Sequence, residues 1–493
     1  MPVFEGSPLI AKDTATKTTT TYCDAPSLIT NASKVCLGTG ILTIPYACCP
    51  ESGGGYLFAV FGLFLVACWN LWVTGVLVDS ANFADVFDGD EVEKDLPNSI
   101  PNPNPNPNNN KIFASAPTYS KLAYITLGGA KAMHLIDVIF VSFLFGISTS
   151  YQVGIEGFVD GIFGYIPSND ELHGVPAFED GSVDWIVPTP SNTKTDHGLG
   201  LYWTLAVLLL LCIIPPNMSF LAKFSAAGLG AIFLSFALII VYGIEQLGNG
   251  NVQGLTFHLN DLYPNTFTNL SHFFGIATFS FGIPPLAFQL RSSLEPKLRR
   301  TEFLPSIKKS LGLVFGTYIL LGVFVAMLFH NVGVKGDILK NLPPGSTTNF
   351  INVLMILVCL VSYPLCAVPA TQTLESKIFG SSDGGGLRRR LLVRGPFVMF
   401  TTLVGSKVPG FVDIVSLIGC FSVGLVSYCI PPLFYLRLEH LSSEKCRANM
   451  NEARSLAVCH LMFLVGTVTT IVSTTLTIQS IWFPPAATQT KLN

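Results

Sequence analysis

The residues best placed to do chemistry lie between positions 31 and 41, in a stretch that is otherwise apolar. Asn31 and Lys34 carry polar groups there, and Gly38-Thr39-Gly40-Ile41 follows one turn later. Glycines interrupt helices, and a helix interrupted at bilayer depth leaves backbone N–H and C=O groups that hydrocarbon cannot satisfy. Such groups are tolerated where they line a cavity for a polar or charged solute. The stretch therefore predicts a binding site inside a membrane.

The rest of the chain supports a membrane location. Of the 493 residues, 49% are hydrophobic and only 12% are charged, whereas soluble domains carry about 25% charged residues. We predict an all-α polytopic membrane protein with about eleven transmembrane helices, because that many apolar runs approach the length needed to cross a bilayer. We number the predicted spans 1 to 11, with the bounds Leu28–Cys49, Gly54–Val78, Ala132–Gly157, Leu199–Ile214, Ala222–Ile244, Leu270–Leu290, Ser310–Phe329, Phe350–Leu374, Leu391–Val408, Phe411–Leu436 and Ser455–Ile478.

Polar segments flank and separate these spans. The transmembrane domain is predicted to cover 26–480, between a disordered tail at 1–25 and a C-terminal tail at 481–493. Alternating Pro and Asn at 97–110 favour extended, hydrated backbone, so 79–118 is predicted to be a low-complexity cytoplasmic loop. An acidic outer loop covers 161–197, and 119–130 is predicted to be a short interfacial helix. Most Lys and Arg residues fall on the cytoplasmic side if the N-terminus is cytoplasmic, as the positive-inside bias requires.

A second interruption lies in span 6, where Gly282, Pro284 and Pro285 follow Phe279 and Ser280. Spans 1 and 6 are equivalent if the first ten spans form two five-helix repeats of opposite topology. Matching breaks in two halves of a chain point to a transport site. A single break is also ordinary, because Gly and Pro are common in membrane helices. The pair of breaks predicts an inverted five-plus-five helix repeat with broken helices 1 and 6.

Four stretches carry a family resemblance: N-x-x-K-x-x-x-G-T-G-I-L-x-x-P-Y-A at 31–47, FSFGIPPLAFQL followed by SLEPKLRRTEF in span 6, SYPLCAVPATQTLE at 362–375 and SLIGCFSVGLVSYCIPPLFYL at 416–436. They resemble the amino acid/auxin permease family of the amino acid–polyamine–organocation superfamily, which includes vacuolar and proton-coupled amino acid transporters. The resemblance implies secondary active transport of amino acids by alternating access. The chain departs from the pattern at Gly282-Ile283-Pro284, where many members have a Gly-His pair.

The zwitterionic substrate that the resemblance implies needs donors for its carboxylate and acceptors for its ammonium. The break in span 1 can offer N–H groups and the positive end of a half-helix, and the break in span 6 can offer carbonyls. Tyr151 in span 3 is similar to a lid or hydroxyl donor of related transporters, although an interfacial aromatic anchor fits it equally well. The predicted substrate-binding residues are Gly38, Thr39, Gly40, Ile41, Tyr151, Phe279, Ser280 and Gly282.

Lys34 lies one turn before Gly38, where a cation is costly unless it is paired or hydrated. By resemblance, sodium-coupled members tend to have Asn at this place and several proton-coupled members have Lys. A fixed ammonium between spans 1 and 8 could occupy a sodium site beside the hydroxyls of Ser362 and Thr371. The alternatives are a Lys34 that snorkels to the cytoplasmic face and hydroxyls that only pack between helices.

Proton coupling also requires a titrating group that faces the pathway, and intramembrane ionisable residues are the candidates. Glu156 and Asp137 lie in span 3, and His272 lies at the outer end of span 6. The predicted ion-coupling residues are Lys34, Asn31, Ser362, Thr371 and Glu156, with the proton preferred over sodium as the coupling ion.

Other functional classes fit less well. The eight histidines are scattered, and neither an H-E-x-x-H motif nor a Gly-rich phosphate loop is present. We therefore expect no enzyme activity, metal site, cofactor or nucleic-acid partner. Breaks in only two helices favour an occluding site over a channel pore. A sodium-coupled symporter and an amino acid sensor on a transporter scaffold remain alternatives. We expect a monomer in the plasma membrane or in a vacuolar or lysosomal membrane.

Overall fold

The structure is a computed structural model that describes residues 23–83, 118–163, 208, 225–248, 259–329, 333–342, 345–379, 387–405, 411–441 and 456–482. In these ranges the regular structure is helical, apart from one isolated bridge between Cys23 and Leu294. Predicted span 4 lies outside the described residues except for Leu208, as do the run 97–110, most of the outer loop 161–197 and nearly all of both tails.

The predicted spans are observed as helices wherever the structure describes them. The α-helices in the described ranges are α1 Ala25–Cys36, α2 Ile44–Cys48, α3 Tyr56–Phe83, α4 Thr118–Leu127, α5 Ala130–Phe163, α6 Ser225–Gly248, α7 Phe267–Ser280, α8 Ala287–Ser293, α9 Phe303–Tyr318, α10 Phe324–Leu328, α11 Ser346–Phe379, α12 Leu387–Gly405, α13 Phe411–Ile418, α14 Ile430–Leu441 and α15 Leu456–Trp482. Eight helical stretches in the described part are long and apolar enough to cross a membrane. They correspond to spans 2, 3, 5, 6, 7, 8, 10 and 11, so the all-α polytopic prediction is confirmed.

The helices extend beyond the predicted apolar spans. Span 3 is the helix Ala130–Phe163 and span 8 is Ser346–Phe379, each of 34 residues. At 1.5 Å per residue such a helix is about 51 Å long, whereas the hydrocarbon layer is about 30 Å thick. Residues 79–83 and 161–163, predicted to lie in loops, are accordingly the ends of spans 2 and 3. Hydropathy marks the apolar layer and does not mark where a helix ends.

The helices pack around spans 1 and 6. Span 8 runs along span 3, span 1 packs on span 7, and span 6 packs on span 10. The last contact is close because a Cβ at Gly419 would overlap the Gly275 carbonyl. Large apolar side chains on the outer faces are exposed, among them Phe61 (60%) and Leu464 (61%). Such a surface suits lipid and not water, and the protein is an integral membrane protein.

Candidate functional site

The break in span 1 follows from where its first half-helix ends. Asp24 caps α1 by accepting a hydrogen bond from the Ser27 N–H at 3.1 Å. At the other end, the Leu37 N–H donates to the Ser33 carbonyl at 2.8 Å, and Gly38 leaves the helical conformation with ψ −146°. The chain resumes as a 3₁₀-helix at Thr39–Thr43 and then as α2. The C-terminus of α1 and the N-terminus of this 3₁₀-helix therefore meet inside the protein.

The break in span 6 has the same form. Helix α7 ends at Ser280, and the N–H of Phe281 closes its last turn on the Ala277 carbonyl at 3.0 Å. A 3₁₀-helix at Pro284–Leu286 then leads into α8. Proline suits that position because the first N–H groups of a helix have no partner within the helix. Both interruptions predicted from glycine and proline are thus present.

The two breaks lie against each other. A Cβ built on Gly40 would lie 2.6 Å from Ser280 Oγ and 3.2 Å from the ring of Phe279. A Cβ built on Gly38 would lie 2.8 Å from the Tyr151 hydroxyl of span 3. Five of the predicted substrate-binding residues, from three spans, therefore meet in two close contacts at the break in span 1.

The other three predicted substrate-binding residues have different surroundings. The Ile41 N–H donates to the Gly38 carbonyl at 3.3 Å, and the Ile41 side chain is fully buried. The backbone of Thr39 opens the 3₁₀-helix. Gly282 faces Val423 of span 10, 3.7 Å from a Cβ built on Gly282. Its N–H donates to the Phe279 carbonyl at 3.2 Å, so Gly282 shapes the turn and does not face Gly40.

Tyr151 lies inside the helix bundle. It is 7% exposed, and its hydroxyl contacts the hydroxyl of Ser362 in span 8. This position does not fit an interfacial aromatic anchor, whose ring would lie at the membrane surface. Tyr151 links the break in span 1 to span 8.

Lys34 is buried beside the break. Its side chain is 5% exposed, and a Cβ built on Gly228 in span 5 would lie 3.3 Å from its Nζ. Among the residues that the structure describes, Lys34 Nζ has no hydrogen-bond partner. The ammonium does not snorkel to the surface, and it lies in the last turn of α1, where the helix end favours a cation.

The hydroxyls expected beside Lys34 are engaged elsewhere. Ser362 donates to the Val358 carbonyl at 2.8 Å, and Thr371 donates to the Ala367 and Val368 carbonyls at 2.9 Å. Short hydroxyl side chains in helices commonly bond the preceding turn in this way. In span 8, the Cys366 thiol interacts electrostatically with Lys34. Lys34 Nζ makes no hydrogen bond to either hydroxyl among the described residues, although each hydroxyl oxygen keeps lone pairs that can accept.

The remaining candidates for ion coupling are Asn31, three residues before Lys34 on α1, and ionisable residues of spans 3 and 6. Asn31 is half-buried on α1, and Glu156 accepts a hydrogen bond from Gln152 of its own helix at 2.8 Å. Asp137 pairs with Lys377 of span 8 at 2.7 Å and accepts a hydrogen bond from Ser120. His272 bonds Ser480 of span 11 at 3.1 Å. Glu156, Asp137 and His272 each have a hydrogen-bond or ion-pair partner of their own, and their part in ion coupling stays a prediction.

Tyr318 in span 7 was not predicted, although it contacts both breaks. Its hydroxyl lies 2.6 Å from the carbonyl oxygen of Cys36, the last residue of α1. The same hydroxyl lies 3.0 Å from the carbonyl oxygen of Ser280, the last residue of α7. A tyrosine in an apolar helix is ordinary in sequence, so no signal in the chain marked it. Only the fold brings the two helix ends to one hydroxyl.

Comparisons with known proteins agree with this architecture. A sequence model of the family described as transmembrane amino acid transporter protein matches residues 113–477. Amino acid transporter ANT1 of Arabidopsis thaliana is 21% identical over 458 residues, which cover 88% of this chain and 89% of that protein. The vesicular inhibitory amino acid transporter of Homo sapiens is 26% identical over 255 residues, which cover 47% of this chain and 44% of that protein.

A solved structure shows the same fold at low sequence identity. The crystal structure of MhsT in complex with L-phenylalanine superposes with a TM-score of 0.53 and 12% identity, and it covers 93% of this chain and 99% of that one. This likeness shows the repeat-type helical transporter fold that the paired breaks predicted. Since the family match covers most of the chain, the protein belongs to the transmembrane amino acid transporter family.

Proposed function

We propose that this protein carries amino acids across its membrane by alternating access, coupled to protons and not to sodium. The observation that carries the proposal is the pair of opposed breaks with a buried ammonium beside them that has no hydrogen-bond partner among the described residues. Membership of an amino acid transporter family supports the substrate class. One chain contributes both breaks, so we propose that a monomer suffices.

The proposed substrate position is the space over Gly38 and Gly40. The carboxylate binds the N–H groups at the start of the 3₁₀-helix Thr39–Thr43, where the partial charge of a helix end is positive. The ammonium binds oxygens of the break in span 6. Ser280 Oγ is 1% exposed and has no hydrogen-bond partner among the described residues, so it is free to accept from a substrate.

The proposed coupling group is Lys34. Its charge is held by the C-terminal end of α1 and by no carboxylate partner that the structure describes. Buried charges without partners depend strongly on access to water. In the proposed cycle, helix movement exposes Lys34 to one side and then to the other, and its proton follows the substrate.

Uptake of labelled amino acids into proteoliposomes tests the proposal under separate pH and sodium gradients. The unmodified protein should accumulate substrate when an inward proton gradient is imposed, and a sodium gradient should not change this accumulation. Lys34→Met should abolish accumulation while leaving exchange of internal for external substrate, since exchange needs no net proton movement. Two variants serve as controls. Lys34→Arg retains the charge at this position, and Lys309→Met removes the charge of an exposed lysine in the helix of span 7.

Three outcomes would contradict the proposal or a part of it. Specific substrate binding without flux in the unmodified protein would indicate a sensor and refute transport. Sodium-driven accumulation by the unmodified protein would refute proton coupling. An equal loss of accumulation in Lys309→Met would remove the specific role of Lys34.

A further inference from the structure

We propose that the Tyr318 hydroxyl takes the place of a small cation between the two breaks. The inference rests on the proposed transport function and deepens it, because it names a residue that makes one end of the site independent of sodium. A single oxygen atom, Tyr318 Oη, lies between two backbone carbonyls.

The two carbonyls belong to the last residues of two half-helices. Tyr318 Oη lies 2.6 Å from the Cys36 oxygen and 3.0 Å from the Ser280 oxygen. A hydroxyl has one hydrogen to donate, so it serves the two acceptors by sharing or alternating between them. Tyr318 is fully buried, so water does not compete for either carbonyl.

Two converging helix C-termini make a negative electrostatic region. Each end carries about half a negative elementary charge from the aligned peptide dipoles. In transporters, unwound carbonyls and half-helix C-termini are the groups that coordinate sodium or a proton. The hydrogen of Tyr318 supplies the positive end of a dipole at the point where such a cation would lie.

A third oxygen faces the same point. Ser280 Oγ lies beside the Tyr318 hydroxyl, yet no hydrogen bond of ordinary geometry is found for it in the described residues. Ser280 is 1% exposed. An unpaired hydroxyl in such a place is costly, and it is available to a cation or a substrate. The backbone and side chain of Ser280 and the backbone of Cys36 thus provide three oxygens around Tyr318 Oη.

Span 7 fixes Tyr318 in this position. Ser310, two turns earlier, bonds Ser33 of α1 at 3.0 Å. The Tyr318 ring meets the Phe281 ring edge-on, with 5.1 Å between centroids. Side chains on a helix lean toward its N-terminus, and this lean lets Tyr318 reach back to the level of Cys36. The hydroxyl is held by packing and does not depend on a bound ion.

Two substitutions separate the hydroxyl from the ring. Tyr318→Phe keeps the ring and leaves both carbonyls without a donor, so substrate flux should fall about tenfold in any salt. Tyr318→Ser removes the ring and leaves room for a cation with water among the three oxygens. Its flux should be stimulated about tenfold or more by sodium or lithium over N-methylglucamine at fixed pH. The unmodified protein should show no such stimulation.

The control is Tyr363, an equally buried tyrosine of span 8 that bonds Thr401 at 2.6 Å. Tyr363→Phe and Tyr363→Ser should show no cation stimulation. If Tyr318→Ser does not survive purification, Tyr318→Asn, which also removes the ring, takes its place in the same flux assay. A folded Tyr318→Ser or Tyr318→Asn whose flux does not respond to sodium or lithium overturns the proposal. An unmodified protein without flux would instead contradict the transport function.

Discussion

At the scale of single residues, Gly40 sets how closely the two breaks approach. The space above its Cα is bounded by Ser280 Oγ at 2.6 Å and the Phe279 ring at 3.2 Å from a built Cβ. A methyl group placed there would contact both residues at less than normal separation. The glycine therefore leaves a gap whose walls are polar on one side and aromatic on the other.

Gly40→Ala should raise the KM for substrate about 5- to 150-fold, because overpacking a closed site costs about 1–3 kcal/mol. The measurement is substrate uptake against concentration in proteoliposomes. Gly316→Ala is the matched control, since a Cβ at Gly316 of span 7 meets nothing within 4 Å. Adding Ser280→Ala to Gly40→Ala should not recover the KM if Ser280 Oγ binds the ammonium. Full recovery of the KM in the double variant would show that the steric clash with Ser280 alone caused the increase and that Ser280 Oγ does not bind the substrate.

The sequence predicted residues whose role depends on backbone conformation. Gly38, Gly40 and Ser280 lie at the breaks that the sequence predicted, because glycine and proline interrupt helices wherever they lie. The pairing of Lys34 with Ser362 and Thr371 stays a prediction, because both hydroxyls donate to carbonyls of their own helix and Lys34 Nζ has no hydrogen-bond partner among the described residues. Whether a hydroxyl turns inward or outward depends on rotamers, and the chain sequence does not specify them. Tyr318 was missed for the same reason.

At the scale of elements, α4 is more than an interfacial helix. Tyr119 is 5% exposed, and its hydroxyl donates to the Val426 carbonyl of span 10 at 2.7 Å. Its ring packs on Phe140 of span 3, Phe288 of α8 and Phe434 of span 10. Val426 lies in the π-helical segment Leu425–Cys429, and such widened turns often occur at functional sites. Helix α4 therefore ties three spans together on the predicted cytoplasmic side.

Removing the Tyr119 side chain should loosen the packing of α4 on these three spans and open the cytoplasmic side of the site. Tyr119→Ala should speed the alkylation of Cys366 by a thiol reagent added from the cytoplasmic side, because Cys366 lies near the site and is 9% exposed. Mass spectrometry of the Cys366 peptide measures the rate. Tyr119→Phe keeps the ring contacts and loses only the bond to Val426, so its rate should rise less. Equal rates in all three proteins would show that α4 does not close the inner side.

At the scale of the whole molecule, the amino-acid composition and the hydropathy pattern were enough to predict the architecture. The apolar spans, the two breaks and their spacing predicted a helical transporter fold, since hydrocarbon allows few other solutions. Hydropathy gave no account of contacts between distant loops and spans. The segment 333–342, which follows span 7, carries a 3₁₀-helix at Ile338–Asn341 that lies against the 3₁₀-helix Thr39–Thr43. An outer loop therefore reaches the break in span 1.

Side chains within the segment hold this loop in place. Asn341 accepts from the Lys335 N–H at 2.9 Å and donates to the Gly333 carbonyl at 2.7 Å. Asp337 caps the 3₁₀-helix by accepting from the Leu339 N–H at 3.1 Å, and it is 6% exposed. Burial raises the pKa of the Asp337 carboxyl above its ordinary value, although nearby Lys340 and the Leu339 N–H act in the opposite direction.

This raised pKa predicts how the protein responds to pH. A carboxyl whose pKa is higher in the folded protein favours folding when it is protonated, so that contribution fades as pH rises from about 4 through the folded pKa. Asp337→Asn keeps the acceptor for Leu339 and cannot ionise. The melting temperature of Asp337→Asn should therefore exceed that of the unmodified protein at pH 7.5, and the difference should vanish toward pH 4. Glu51→Gln, at an exposed position, should show no such trend. A difference independent of pH would mean that Asp337 stabilises the loop only as a hydrogen-bond acceptor.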